Sequence, residues 1–155
     1  MVCGGQLTTI NLTNSSSTAT RLCTMKSAHM SKNKPMDYEA WRAFFLSMPA
    51  AVEDMPFGPE ALVYKVAGKM FGLLAWMEEP LWMNLKCEPN LALSLRDQYS
   101  AVAAGYHMNK KHWNTVTLDG SVDDESVKEW VRASYDLIYL ALPKKTQREM
   151  QNNRA

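Results

Sequence analysis

The sequence predicts an α+β fold, a two-layer sandwich in which an antiparallel sheet is packed by an N-terminal and a C-terminal helix. Three observations predict it. Trp41, Phe44, Phe45 and Met48 recur at helical spacing near the start of the ordered part, so one apolar face is offered there. Residues 61–87 then hold three short β-prone runs separated only by Ala67-Gly68 and Glu78-Glu-Pro80, and connections that short join antiparallel neighbours. Finally, Val127, Trp130, Val131, Ser134, Leu137, Ile138 and Ala141 trace a long amphipathic stripe, the signature of a helix able to cover a sheet.

Taken in order, residues 1–35 are dominated by Ser, Thr, Asn and Gly, and Leu7, Ile10, Leu12 and Leu22 define no face. Such a segment is expected to be a disordered N-terminal extension, with the folded domain spanning 36–155. The first helix, 37–48, carries Asp37 and Glu39 in its opening turn, where acids suit the helix dipole, and Pro49 ends it. Pro56 and Pro59 bracket a turn around Phe57-Gly58. Strands are expected at 61–66, 69–77 and 81–87. Alternation sets Val63 and Lys65 on one face and Leu62, Tyr64 and Val66 on the other, whereas Met70, Phe71, Leu73 and Leu74 blur the period as a central strand does. Pro89 opens a short helix through Tyr99, with Arg96 and Asp97 toward its exposed end. Residues 113–118 are β-branched and alternating, a strand stopped by Asp119-Gly120. Ser121 or Asp123 caps the long helix, Pro143 ends it near Leu142, and the basic turn Lys144-Lys-Thr-Gln-Arg148 restarts as a short helix.

The chain of 155 residues, 46% of them hydrophobic, suffices for one core burying roughly two-thirds of the surface exposed on unfolding. Its net charge of +1 is unevenly distributed. Arg21, Lys26, Lys32 and Lys34 stand in residues 1–36 without an acid, which leaves 13 basic against 16 acidic side chains, a net of −3, for the remainder. That balance weakens any reading of bulk electrostatic attraction to nucleic acid for the folded part, and such binding needs a local patch. Cys3, Cys23 and Cys87 are odd in number and widely spaced, which supports neither a disulfide framework nor a zinc knuckle. With no secretory h-region and no run of roughly 20 apolar residues, a soluble cytoplasmic protein is expected.

One local patch stands out. Gly105-Tyr-His-Met-Asn-Lys-Lys-His-Trp-Asn114 contains no acid. Tyr106 and Trp113 offer flat rings for stacking, Lys110 and Lys111 offer cations to a phosphate, and Asn109 and Asn114 offer paired donors and acceptors to a base edge. Around it, in order, stand Glu53-Asp-Met-Pro-Phe-Gly-Pro59, Val63-Tyr-Lys-Val66, Gly68-Lys-Met-Phe71, Asn84-Leu-Lys-Cys87 and Leu142-Pro-Lys-Lys145. Together these segments resemble the MmcQ/YjbR family of small bacterial proteins over roughly residues 36–150. The resemblance implies a frataxin-like α+β domain with a double-wing DNA-binding surface. Joined to the local chemistry, it points to Lys110, Lys111, Lys144, Lys145 and Arg148 as phosphate contacts on double-stranded DNA. Tyr106, His107, Asn109, His112, Trp113 and Asn114 would then shape or contact the groove.

Other chemistry finds less support. His107 and His112 are five residues apart, so they do not form a His-x-x-x-His pair on one helical face, and no metal site is expected. The chain has no Gly-x-Ser-x-Gly elbow, phosphate loop or dinucleotide fingerprint, so neither a catalytic residue nor a cofactor is assigned. An acidic ridge for iron is missing as well, because Asp37 and Glu39 cluster at one end of the first helix and Glu53-Asp54 lies beyond Pro49. The near-neutral balance leaves a second reading: a protein-interaction or small-ligand domain, with Phe57, Trp76, Trp82 and the 106–113 loop lining a pocket or partner surface. The protein partner is unspecified by sequence.

A chain beginning at Met36 is expected to melt with an almost unchanged transition. A large loss of calorimetric cooperativity in that chain would show instead that residues 1–35 complete the core.

Overall fold

The computed structural model describes residues 36–152; the expected disordered extension, 1–35, lies outside the described residues. Helix α1 (Tyr38–Leu46) begins where the Asp37 carboxylate accepts the Ala40 backbone N–H at 3.0 Å, satisfying one of the donors a helix start leaves open. Trp41 and Phe45 form its buried edge. After Pro49 the chain forms β1 (Ala51–Asp54), a strand that local sequence does not announce. It exists because it pairs antiparallel with β2 (Ala61–Val66), Ala51 opposite Val66 and Asp54 opposite Val63. Arg42 on α1 clamps Glu53 on β1 through two hydrogen bonds of 2.8 and 3.0 Å.

Strand β2 turns into β3 (Lys69–Ala75) through Ala67 and Gly68, whose φ values of 48° and 76° are both positive. Two consecutive left-handed residues match the twist of a two-residue hairpin. β3 pairs with β4 (Trp82–Lys86), β4 with β6 (Trp113–Thr117), and β6 with a short edge strand, β5 (Val102–Ala104). The sheet is six-stranded, ordered β1-β2-β3-β4-β6-β5, and every pair is antiparallel. The strands predicted at 61–66, 69–77, 81–87 and 113–118 are present with slightly shorter ends, whereas both edge strands were unforeseen.

Helices α2 (Pro89–Gln98) and α3 (Asp124–Leu140) join α1 on one face of the sheet, where Trp41, Phe45, Leu62, Tyr64, Phe71, Leu74, Met83, Val116, Val127 and Val131 form one core. The α+β two-layer expectation is met. Phe45 stacks on Tyr64 with ring centroids 4.2 Å apart, and the approach requires glycine beneath it: a Cβ on Gly72 would overlap Phe45 Cε1. Val63, Leu73 and Ala75 are buried too, although they lie outside that core. Alternation sets them on the opposite face, so this part of the sheet is covered on both sides and Val63 is not the solvent partner of Lys65 that its period suggests.

Asp123, not Ser121, caps α3, accepting the Ser126 N–H at 2.9 Å and the Ser126 hydroxyl at 2.7 Å. Leu137 and Ala141, placed by periodicity on the buried stripe, are exposed. The basic turn is a full helix, α4 (Lys144–Asn152), anchored by the buried Gln147 amide, which donates to the Leu142 carbonyl at 2.8 Å. Among the described residues no helix is long and apolar enough to cross a membrane.

Gly72→Ala is expected to push Phe45 off Tyr64 and destabilise the fold by about 1–3 kcal/mol, measured by urea denaturation. Hydrogen bonds from the Ser126 side chain and backbone hold the Asp123 carboxyl below the usual carboxylate range. A lowered carboxyl contributes stability above its unfolded value, and that contribution fades as pH falls through its folded value. Asp123→Ala should therefore cost about 1 kcal/mol at neutral pH, with the gap to wild type closing as the solution is acidified below about pH 4; a constant gap would contradict the cap.

Candidate nucleic-acid interface

The 105–112 segment is a loop between the two strands at the β5 edge, and backbone hydrogen bonds shape nearly all of it. Gly105 N–H donates to the Trp113 carbonyl at 2.8 Å. A Cβ there would stand 2.7 Å from Trp113 Cβ and 2.9 Å from Trp113 O, so only glycine lets the two ends of the loop meet this closely. At the tip, the Asn109 carbonyl accepts the N–H groups of His112 and Trp113 at 3.1 and 3.0 Å. The Asn109 side-chain oxygen takes the Lys111 N–H at 2.9 Å, an Asx turn. The His112 carbonyl accepts from Cys87 N–H at 2.8 Å.

Two side-chain networks fasten this loop to the sheet. Asn84 is 1% exposed; its amide donates to the Tyr106 carbonyl at 3.0 Å, and its oxygen accepts from the Thr115 hydroxyl at 2.6 Å. Thr115 in turn accepts the Tyr106 N–H at 2.8 Å. Asn84 and Thr115 are directly opposed across β4 and β6, so alternation sets this network on the sheet face away from the helices. On the other side, Arg96 of α2 donates from Nε to Asn114 Oδ1 at 2.8 Å and from Nη2 to the Lys110 and Trp113 carbonyls, the latter at 3.1 Å.

The residues expected to meet DNA separate into four groups. Tyr106, His107, Asn109, Lys110 and Lys111 are exposed on the loop, Tyr106 to 59%. Tyr106 rests edge-on against Trp82, 5.8 Å between centroids, and lies 4.0 Å from the His107 ring; His107 itself takes a left-handed backbone, φ 54°. No ion pair among the described residues engages Lys110 or Lys111. His112 and Trp113 stand at its base, both half-buried.

Asn114 is a correction. It is 2% exposed, with its oxygen held by Arg96 and its amide donating to the Ala92 carbonyl at 3.3 Å, so it supports the loop from within and is closed to a base edge. The period of β6 carried that signal, because Asn114 shares a face with the core residue Val116. Lys144, Lys145 and Arg148 lie apart on α4, the two lysines exposed. Among the described residues no hydrogen bond, ion pair or ring contact joins them to the loop.

Sequence reasoning missed Arg96, read as a residue of the exposed helix end, and Asn84 with Thr115. Asn84 was marked by its chemistry, an amide between Met83 and Leu85 in an apolar strand. Of the residues proposed to line a pocket or partner surface, Trp82 packs on Tyr106 of the loop. Trp76 Nε1 donates to the Pro59 carbonyl at 2.7 Å and Trp82 Nε1 to Glu78 at 2.6 Å, while Phe57 is exposed. A cavity of about 270 Å³ lies between α2 and α3, lined in part by Leu91, Leu95, Trp130 and Leu137.

The family model described as YjbR matches residues 46–137, which take in the loop and stop before α4. The chain is similar to the uncharacterized protein YbdF of Escherichia coli O157:H7, 31% identical over 74% of this chain and 93% of that one. It is likewise similar to the uncharacterized protein YjbR of Escherichia coli K12, 33% identical over 68% and 89%. Among solved structures, Deinococcus radiodurans protein DR2400, of domain family DUF419, superposes with a TM-score of 0.72 at 35% identity, covering 77% of this chain and 91% of that one. A Pseudomonas syringae protein superposes with a TM-score of 0.59 at 25% identity, covering 66% and 98%. Matched through its sheet, its signature loop and most of its long helix, the chain belongs to the YjbR family.

Proposed function

We propose that this protein is a non-catalytic, cytoplasmic module that binds double-stranded DNA through the 105–112 loop. The observation that carries this reading is the pair Lys110 and Lys111, exposed and, among the described residues, free of ion pairs on a loop whose carbonyls are already taken by Arg96, Cys87 and Asn84. A loop whose backbone is already hydrogen-bonded adds little backbone ordering cost on binding, which leaves the rotamer freedom of the lysine side chains as the main entropy lost. Tyr106 and His107 stand beside them as flat, exposed rings suited to the sugar-phosphate edge of a groove. Lys144, Lys145 and Arg148 form a second basic strip on α4 that extends the phosphate-contacting surface on a long duplex. Because residues 37–155 carry a net charge of −3, attraction is confined to these strips and binding is strongly salt-dependent.

A second reading, a protein-interaction surface, is favoured by Met55, Phe57 and Met77. All three are exposed, and they stand on the β1–β2 and β3–β4 connections, which the Trp76 to Pro59 hydrogen bond ties together. Binding to a protein through these side chains would be insensitive to Lys110 and Lys111.

Replacing Lys110 and Lys111 with Ala should weaken binding to all duplex sequences alike and lower the salt dependence by about one unit of slope for each phosphate that is no longer neutralised. Fluorescence anisotropy across a salt series measures both quantities. Unchanged affinity and slope would remove the loop from the phosphate-contacting surface.

A further inference from the structure

The cleft between α2 and α3 has no part in the DNA reading. Its volume is about 270 Å³, and since a cavity of about 150 Å³ suffices for benzene, roughly a bicyclic ring fits. Leu85, Leu91, Leu95, Val116, Trp130 and Leu137 supply its walls. Leu91, Leu137 and Leu140 are exposed along it, Leu140 to 66%, so part of the apolar stripe of α3 is left uncovered.

Several polar groups along the cleft are already engaged. Asn114 is held by Arg96 and Ala92, Lys86 N–H donates to Ser134 Oγ at 2.8 Å, and Cys87 N–H donates to His112 O at 2.8 Å. A guest in the interior is therefore recognised by shape and apolar contact. The remaining charge at the lining belongs to Glu88 and Asp136, both exposed and neither in an ion pair among the described residues. Lys86 also borders the cleft, but it follows the core residue Leu85 in β4, and alternation turns its side chain to the opposite sheet face.

We propose that this cleft binds a small amphiphilic amine, an aromatic or branched aliphatic body in the cleft with its ammonium group at Glu88 and Asp136. The site lies on the helix-covered side of the sheet and its occupancy is read without DNA, so it stands or falls separately from the loop.

Three probes with one ring system test it on the full chain: tryptamine, indole and indole-3-acetate, titrated while backbone amide resonances are followed by NMR. Tryptamine should bind saturably, shift residues of α2 and α3 around the cleft, and bind at least about fivefold more tightly than indole-3-acetate, as two exposed carboxylates allow. The Glu88→Gln, Asp136→Asn double variant should erase that preference while indole binding persists. Ala133→Phe, which fills the cleft from an exposed position on α3, should abolish binding of all three with the amide spectrum still that of a folded protein. Absence of saturable binding, shifts confined to other surfaces, or equal affinities for the amine and the acid would overturn the proposal.

Discussion

The Arg96 guanidinium makes the interaction on which the presentation of the 105–112 loop depends. It reaches from α2 to three oxygens at once, the Asn114 side chain and the Lys110 and Trp113 carbonyls, a task suited to a planar cation with five donors in a fixed fork. Each such charge-assisted bond contributes about 1.5–3 kcal/mol when made, whereas fixing one residue of backbone costs about 1–2 kcal/mol. One arginine cannot order the loop alone. Asn84, Thr115 and the Cys87 amide divide the remaining work between the two faces of the sheet, and Gly105 lets the ends of the loop close.

That division follows from the two-residue period of β6. Asn114 and Val116 point toward the helices, while Trp113 and Thr115 point away. One strand therefore serves two surfaces: its outer side chains hold the basic loop and its inner ones border the cleft between α2 and α3. Arg96 links them, since the side chain it fixes, Asn114, lines the cleft and the carbonyls it fixes shape the loop.

The electrostatics are local in the same sense. The acids of the folded part are spread over its surface, with some consumed in pairs, Glu53 with Arg42, Asp54 with Lys65 and Glu125 with Lys128. Lys65 and a backbone bond from Met55 lower the Asp54 carboxyl below its ordinary range, so that acid stays ionised beside its lysine. Lys110 and Lys111 have no such ion-pair partner among the described residues. At physiological salt the Debye length is about 8 Å, which lets a small unpaired cationic group act on a phosphate while distant acids are screened.

The sequence by itself determined the elements whose instructions are local. Periodicity located α1 and α3, Pro89 marked the start of α2, and the Ala67-Gly68 connection implied the hairpin of β2 and β3. The order of these elements implied the two-layer α+β sandwich, and the spacing of family-like segments around residues 105–114 located the loop. What depended on partners distant in the chain was decided by tertiary structure. β1 and β5 are too short and plain to declare themselves and exist through pairing with β2 and β6. Arg96 looked like the end of an exposed helix because its three acceptors lie 14 to 18 residues away, and Asn114 looked available because its burial comes from α2. Leu137 looked buried because periodicity names the apolar face of a helix without saying how closely its neighbour packs; it is exposed on the wall of a cleft shared with Leu91 and Leu95 of α2, where a seam was expected.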